Sequence, residues 1–152
     1  MSASTLSSAS APSAWAQRMG YGGLLPFVGL ALAVWTAEPA LRAFGGQALL
    51  GYAASIASFL GAIHWGLAMR DGSRQSPALL GWGVVPSLLA WLALLAAPAA
   101  GLLVLACLLW VCFAVDRAVY PRFQVQGWLR MRLQLTVVAS ASCVVGAWGL
   151  LR

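Results

Sequence analysis

Charge is what this sequence lacks most. Of its 152 residues, 8% are charged: nine arginines, no lysine and three acids. A soluble domain carries roughly 25% charged residues. With 62% of the chain hydrophobic, a water-facing surface cannot be assembled, so the outside has to be lipid. Histidine occurs once and cysteine three times. All three cysteines, Cys107, Cys112 and Cys143, fall inside apolar stretches, which reads as small buried hydrophobes and excludes a disulfide framework. Walker, zincin, paired-aspartate and Ser/His/Asp patterns are missing, as is any cluster with metal-ligand spacing. The expectation is therefore no enzyme, no metal and no resident cofactor. The net charge of +6 comes without the interleaved basic and aromatic residues of a nucleic-acid surface. The expected partners are instead the lipid bilayer and, beyond it, another membrane protein or a second copy of the chain.

What is present is a series of charge-free runs. They cover 19–37, 43–69, 75–115 and 133–151. Runs of about 20 residues make one span each. The long run suits two, broken by the turn residues around Pro98 and Gly101. The prediction is an all-α bundle of five transmembrane helices near 19–37, 46–69, 76–96, 99–117 and 133–151, after a disordered Ser/Ala-rich tail at 1–18. With five spans, Arg18, Arg70, Arg74, Arg117, Arg122, Arg130 and Arg132 gather at one end, and Arg42 and Arg152 at the other. The positive-inside rule then sets the N-terminus in the cytoplasm and the C-terminus in the periplasm. Trp35, Trp82, Trp110 and Trp128 lie near run ends, as interfacial anchors do. The stretch 127–133 alternates apolar and basic residues, which predicts Arg130 and Arg132 lying against anionic lipid at the inner surface.

The second span is the least lipid-like. Gly51, Ala54, Ser55, Ser58, Gly61 and Ala62 recur at helical spacing, and small residues let helices approach closely where lipid supplies no hydrophobic drive. This span is expected at the centre of the bundle. Pro26 and Pro86 fall inside the first and third spans and should kink them, with the Ser87 hydroxyl placed to take up a freed carbonyl.

Polar groups crowd the inner half. His64 lies six residues before Arg70, about 9 Å inside the boundary. Asp116 and Arg117 end the fourth span on the same side, Thr136 enters the fifth there, and Ser87 lies somewhat deeper. An ionisable side chain in hydrocarbon is a functional-site hypothesis by default. Three readings of His64 stand open: a neutral side chain bonded to a neighbour as packing glue, a pair with Asp116, or an axial ligand of haem or a metal. Asp116 and Arg117 read in turn as a local ion pair at a helix end.

At Leu24-Leu25-Pro26-Phe27, at 58–68 (with Ser58-Phe59-Leu60-Gly61 and His64-Trp65-Gly66), at Pro86-Ser87-Leu88-Leu89-Ala90-Trp91 and at Asp116-Arg117 the sequence resembles the domain of unknown function 3429, a family that takes in transmembrane-protein-69-like multi-pass proteins. The resemblance covers about 15–151. It implies a small multi-pass protein of an energy-conserving membrane, makes His64, Trp65 and Asp116 family signatures, and implies no activity or ligand. A bacterial inner membrane is expected ahead of a mitochondrial one, because the tail makes a poor presequence. Two functions follow as expectations. One is a non-enzymatic protein that assists or stabilises a membrane complex through its inner polar face. The alternative is a small-molecule site, for a proton, a quinone or a lipid head group, around His64, Trp65, Asp116, Arg117, Ser87 and Thr136.

Overall fold

The computed structural model describes residues 11–36, 38–74 and 76–152. Among them the chain is helical and without strands: α1 (Ala14–Gly22), α2 (Leu24–Thr36), α3 (Pro39–Arg70), α4 (Pro77–Leu94), α5 (Pro98–Val119) and α6 (Leu129–Leu150), with short 3-10 turns at Gly72–Arg74, Tyr120–Phe123 and Gln126–Trp128. α1 and α2 run on as one span, so five helical segments are long and apolar enough to cross a membrane. Residues 1–10 of the expected tail lie outside the described residues. Residues 14–18 are helical, because Ser13 caps α1 by accepting from the Ala16 amide, the usual device for satisfying a helix's first free N–H groups.

Prolines punctuate the helices in ways their chemistry dictates. Pro39, Pro77 and Pro98 each sit in a first turn, where the missing N–H costs nothing and φ is already helical. Pro26 acts one turn upstream of itself. It cannot donate to the carbonyl of Gly22 and its ring presses on that carbonyl, and the helix breaks there, between Gly22 and Leu24. The Gly23 carbonyl is taken up by the Tyr52 hydroxyl at 2.8 Å. Tyr52→Phe should therefore lower stability by about 0.5–1.5 kcal/mol. Thermal unfolding in detergent checks this, and an unchanged midpoint would show that the bond does not hold the break. Pro86 lies inside α4 and is buried. Ser87 does not take the carbonyl that Pro86 leaves, that of Trp82; its hydroxyl donates to Val84 at 2.7 Å.

α3 is the axis of the bundle, packing against α2, α4, α5 and α6. Its 32 residues amount to about 48 Å, longer than the roughly 30 Å hydrocarbon core. It starts seven residues before the expected 46, because Pro39 begins a helix and Gly45-Gly46, which resemble a turn in sequence, are close-packing positions: a Cβ on Gly46 would stand 2.6 Å from Leu150. The inward face carries Ala53, Ala54, Ala57, Leu60, Gly61, His64 and Ala68, all buried. Of the expected stripe, Ala54 and Gly61 are on this face, Gly51 and Ser58 are half-buried, and Ser55 and Ala62 face outward. The Ser55 and Ser58 hydroxyls return to carbonyls of their own helix, Ser55 to Gly51 and Tyr52 and Ser58 to Ala54. They glue no helix to another.

The first span begins, and α6 ends, at opposite ends of the bundle. Tyr21, near the start, bonds Gln134 at the start of α6, whereas the Arg152 guanidinium sits 4.4 Å from the Trp35 ring, at the far end of the first span.

Candidate functional site

The buried ionisable groups meet at the arginine-rich end. The last turns of α3 and α5 and the first turns of α6 converge there and bring His64, Asp116 and Arg132 together. His64 and Asp116 are each 1% exposed. Arg132 Nε donates to Asp116 Oδ2 at 2.8 Å, and His64 Nε2 stands 3.6 Å from the other carboxylate oxygen, Oδ1. Tyr120 lies buried beside the Arg132 guanidinium. His64 thus stands beside Asp116 and, through Nδ1, against a carbonyl of its own helix, while the hydrogen-bonded partner of the acid is Arg132.

Arg132 corrects the expectation of a surface arginine. Because helix α6 is already under way at Leu129, Arg130 and Arg132, two residues apart, point about 200° from one another. Arg130 is exposed and Arg132 is turned into the bundle. The same periodicity separates Asp116 from Arg117, which is exposed, so the acid's partner is Arg132 on another helix and not its neighbour. A buried carboxylate needs such a partner, since desolvating it alone is prohibitive.

Trp65 lies away from this cluster. Its indole covers Gly83 and its N–H donates to the Leu80 carbonyl at 3.0 Å, pinning α3 to α4. Ser87, on α4, is likewise bonded within its own helix. Thr136, one turn beyond Arg132 on the same face of α6, is 1% exposed. It joins the cluster.

The hydrogen-bond inventory of the cluster is incomplete in an informative way. His64 Nδ1 lies 3.3 Å from the Leu60 carbonyl oxygen, so each ring nitrogen faces an acceptor. A neutral imidazole has one N–H. Whichever nitrogen carries it, the other turns a lone pair toward an oxygen. Among the described residues, His64 Nε2, Asp116 Oδ1, Arg132 Nη2 and Thr136 Oγ1 are all buried without a hydrogen-bond partner.

Beside the cluster is a cavity of about 670 Å³. Arg132, Thr136 and Tyr120 form its polar wall, and Arg70 is at its rim with one guanidinium nitrogen donating to the Phe123 carbonyl at 2.7 Å. The remaining lining is apolar, for example Phe27, Leu60, Leu109 and Leu135, and no acid is part of it. Its walls come from α1, α2, α3, α5 and α6. Met19 and Phe59, which also line it, are 69% and 62% exposed, so it reaches the lipid-facing surface between α1 and α3. In the sequence Arg70 and Arg132 read as topology residues, and nothing marks Tyr120. The one signal for Arg132 was its i,i+4 spacing to Thr136.

Residues 12–148 match a family described as "Protein of unknown function (DUF3429)". A curated relative, "Transmembrane protein 69" of Xenopus tropicalis, is 36% identical over 138 residues, covering 83% of this chain and 51% of the relative. The chain thus spans about half the length of that relative. No solved structure matches.

Proposed function

The chain belongs to the DUF3429 family, and we propose that this multi-pass membrane protein binds an amphiphilic small molecule that enters the cavity from the lipid. The single observation that carries the reading is the cavity itself: an apolar pocket of about 670 Å³ open to the lipid side, with Arg132, Thr136 and Tyr120 as its polar lining and Arg70 at its rim. Volume and composition fit ligand sites, which run to roughly 300–1,000 Å³ with a few convergent polar groups. Assistance to another complex would call on an outward polar face. His64, Asp116, Arg132 and Thr136 are all buried, which favours the small-molecule reading. The proposal is for binding without a chemical step. With seven arginines at the cavity's end of the bundle, we place that end in the cytoplasm, in a bacterial inner membrane.

The test is to fill the pocket. Leu135 lines the cavity and is half-buried, so Leu135→Trp should occupy it without opening the core. Mass spectrometry of organic extracts from the purified protein is expected to show a bound amphiphile in stoichiometric amount, lost in the variant. The same extract from both proteins would remove the cavity from consideration.

A further inference from the structure

Resting on that reading, we propose that the amphiphile is an anionic phospholipid of the leaflet at the arginine-rich end, with an acyl chain laid along α3 in the cavity and its phosphate on Arg70. The shape of the cavity carries the chain. On α3 it is lined by Arg70, Leu67, Ile63, Leu60 and Ile56, at successive turns of one face. From Arg70 to Ile56 the helix advances about 21 Å. One leaflet of a roughly 30 Å hydrocarbon core is about 15 Å deep, so the cavity runs the depth of a leaflet. Because α3 crosses the membrane, it also runs in the direction that lipid chains take. The opening beside Met19 and Phe59 lets a chain enter sideways while a second chain of the same lipid stays in the bilayer.

Polarity is graded along the same line. Arg70 ends α3 and is exposed, whereas every other α3 residue of the wall is apolar. Its Nη2 donates to the Phe123 carbonyl at 2.7 Å, which holds the guanidinium at the mouth and leaves Nε and Nη1 for a ligand. Among the described residues no acid pairs with Arg70, and the next residue, Asp71, accepts from the Ser73 hydroxyl at 2.6 Å. Arg132, the other cation of the wall, is 7% exposed and bonded to Asp116. The charge offered at the opening is therefore that of Arg70. A guanidinium with two N–H directions open suits a phosphate, whose oxygens it meets as a fork.

The lining also selects the head group. A zwitterionic head brings a cation beside its phosphate, and that cation would meet Arg70 with no carboxylate in the wall to receive it. Like charges repel more strongly at the edge of hydrocarbon than in open water. An anionic head such as phosphoglycerol brings the phosphate charge alone. Anionic lipid is also what the arginine-rich end of a membrane protein faces on the cytoplasmic side.

The test is native mass spectrometry of the full chain, released from nonionic micelles that contain dioleoylphosphatidylglycerol and dioleoylphosphatidylcholine in equal amounts. Phosphatidylglycerol should be retained about fivefold over phosphatidylcholine, the worth of one basic residue near an anionic surface. Arg70→Gln should bring the ratio close to one. Arg117→Gln and Arg130→Gln each remove the same charge from exposed positions at the same end that are not part of the cavity, and both should keep the preference. Leu135→Trp should displace the bound lipid. Equal retention of the two lipids by the wild-type chain, or the same fall in preference in all three arginine variants, overturns the inference. Retention of neither lipid overturns it as well, and a bound species of another mass that Leu135→Trp displaces would still uphold the amphiphile reading. A wild-type chain with nothing bound that Leu135→Trp displaces overturns both.

Discussion

Asp116→Leu should destabilise the protein by about 3–5 kcal/mol, because it strands the Arg132 guanidinium in the bundle without its carboxylate. The distance of 2.8 Å and the near-complete burial of both side chains make this the costliest single polar deletion available here. The double variant Asp116→Leu, Arg132→Met removes both charges at nearly constant volume, and it should recover most of the loss. Denaturant unfolding in mixed micelles reads the difference. A double variant as unstable as the single one would mean that the acid acts by something other than its pair with the arginine. A single variant with no loss would mean that the pair is not desolvated.

Gly61→Leu is the second large effect. A Cβ at Gly61 would stand 2.7 Å from the backbone oxygen of Gly83 and 3.1 Å from Pro86 Cγ. Neither can yield as a flexible side chain would, so α3 and α4 must separate. Loss of several kcal/mol is expected, above the roughly 1–3 kcal/mol typical of overpacking, because backbone is what must move. Leu103, 44% exposed on the outer face of α5, provides the contrast: Leu103→Ala should change stability by less than about 0.5 kcal/mol. Comparable losses in the two variants would contradict the central position of α3.

Why some of this was legible in the sequence and some was not has physical causes. Spans announce themselves because lipid forbids charge over some 20 residues, and the division of the long run at Pro98 is chemistry local to the chain. The start of α3 was hidden because Gly45-Gly46 serves equally as turn and as packing surface, and only the opposing Val34 and Leu150 decide between them. His64 and Asp116 stand out because a titratable group in an apolar run is expensive wherever it points. Arg132 does not. An arginine near a span's end has a cheap alternative at the lipid surface, and its direction depends on α6 having begun by Leu129, three residues earlier. Ser55 and Ala62 were misplaced on the packing face for a related reason. On α3, with neighbours on four sides, small residues occur around most of the circumference, and composition alone does not say which arc is inside. The cavity left no trace in the pattern. Five helices wall it, and the periodicity within any one of them does not say where the group leaves space.

The single histidine makes the meeting of the buried polar groups accessible by direct observation. Nitrogen-15 NMR of histidine-labelled protein in nanodiscs reports both ring nitrogens of His64 without ambiguity of assignment. A ring held 3.6 Å from the Asp116 carboxylate predicts nitrogen resonances that move in Asp116→Asn and stay in place in Arg117→Gln. Resonances unchanged by Asp116→Asn would contradict it.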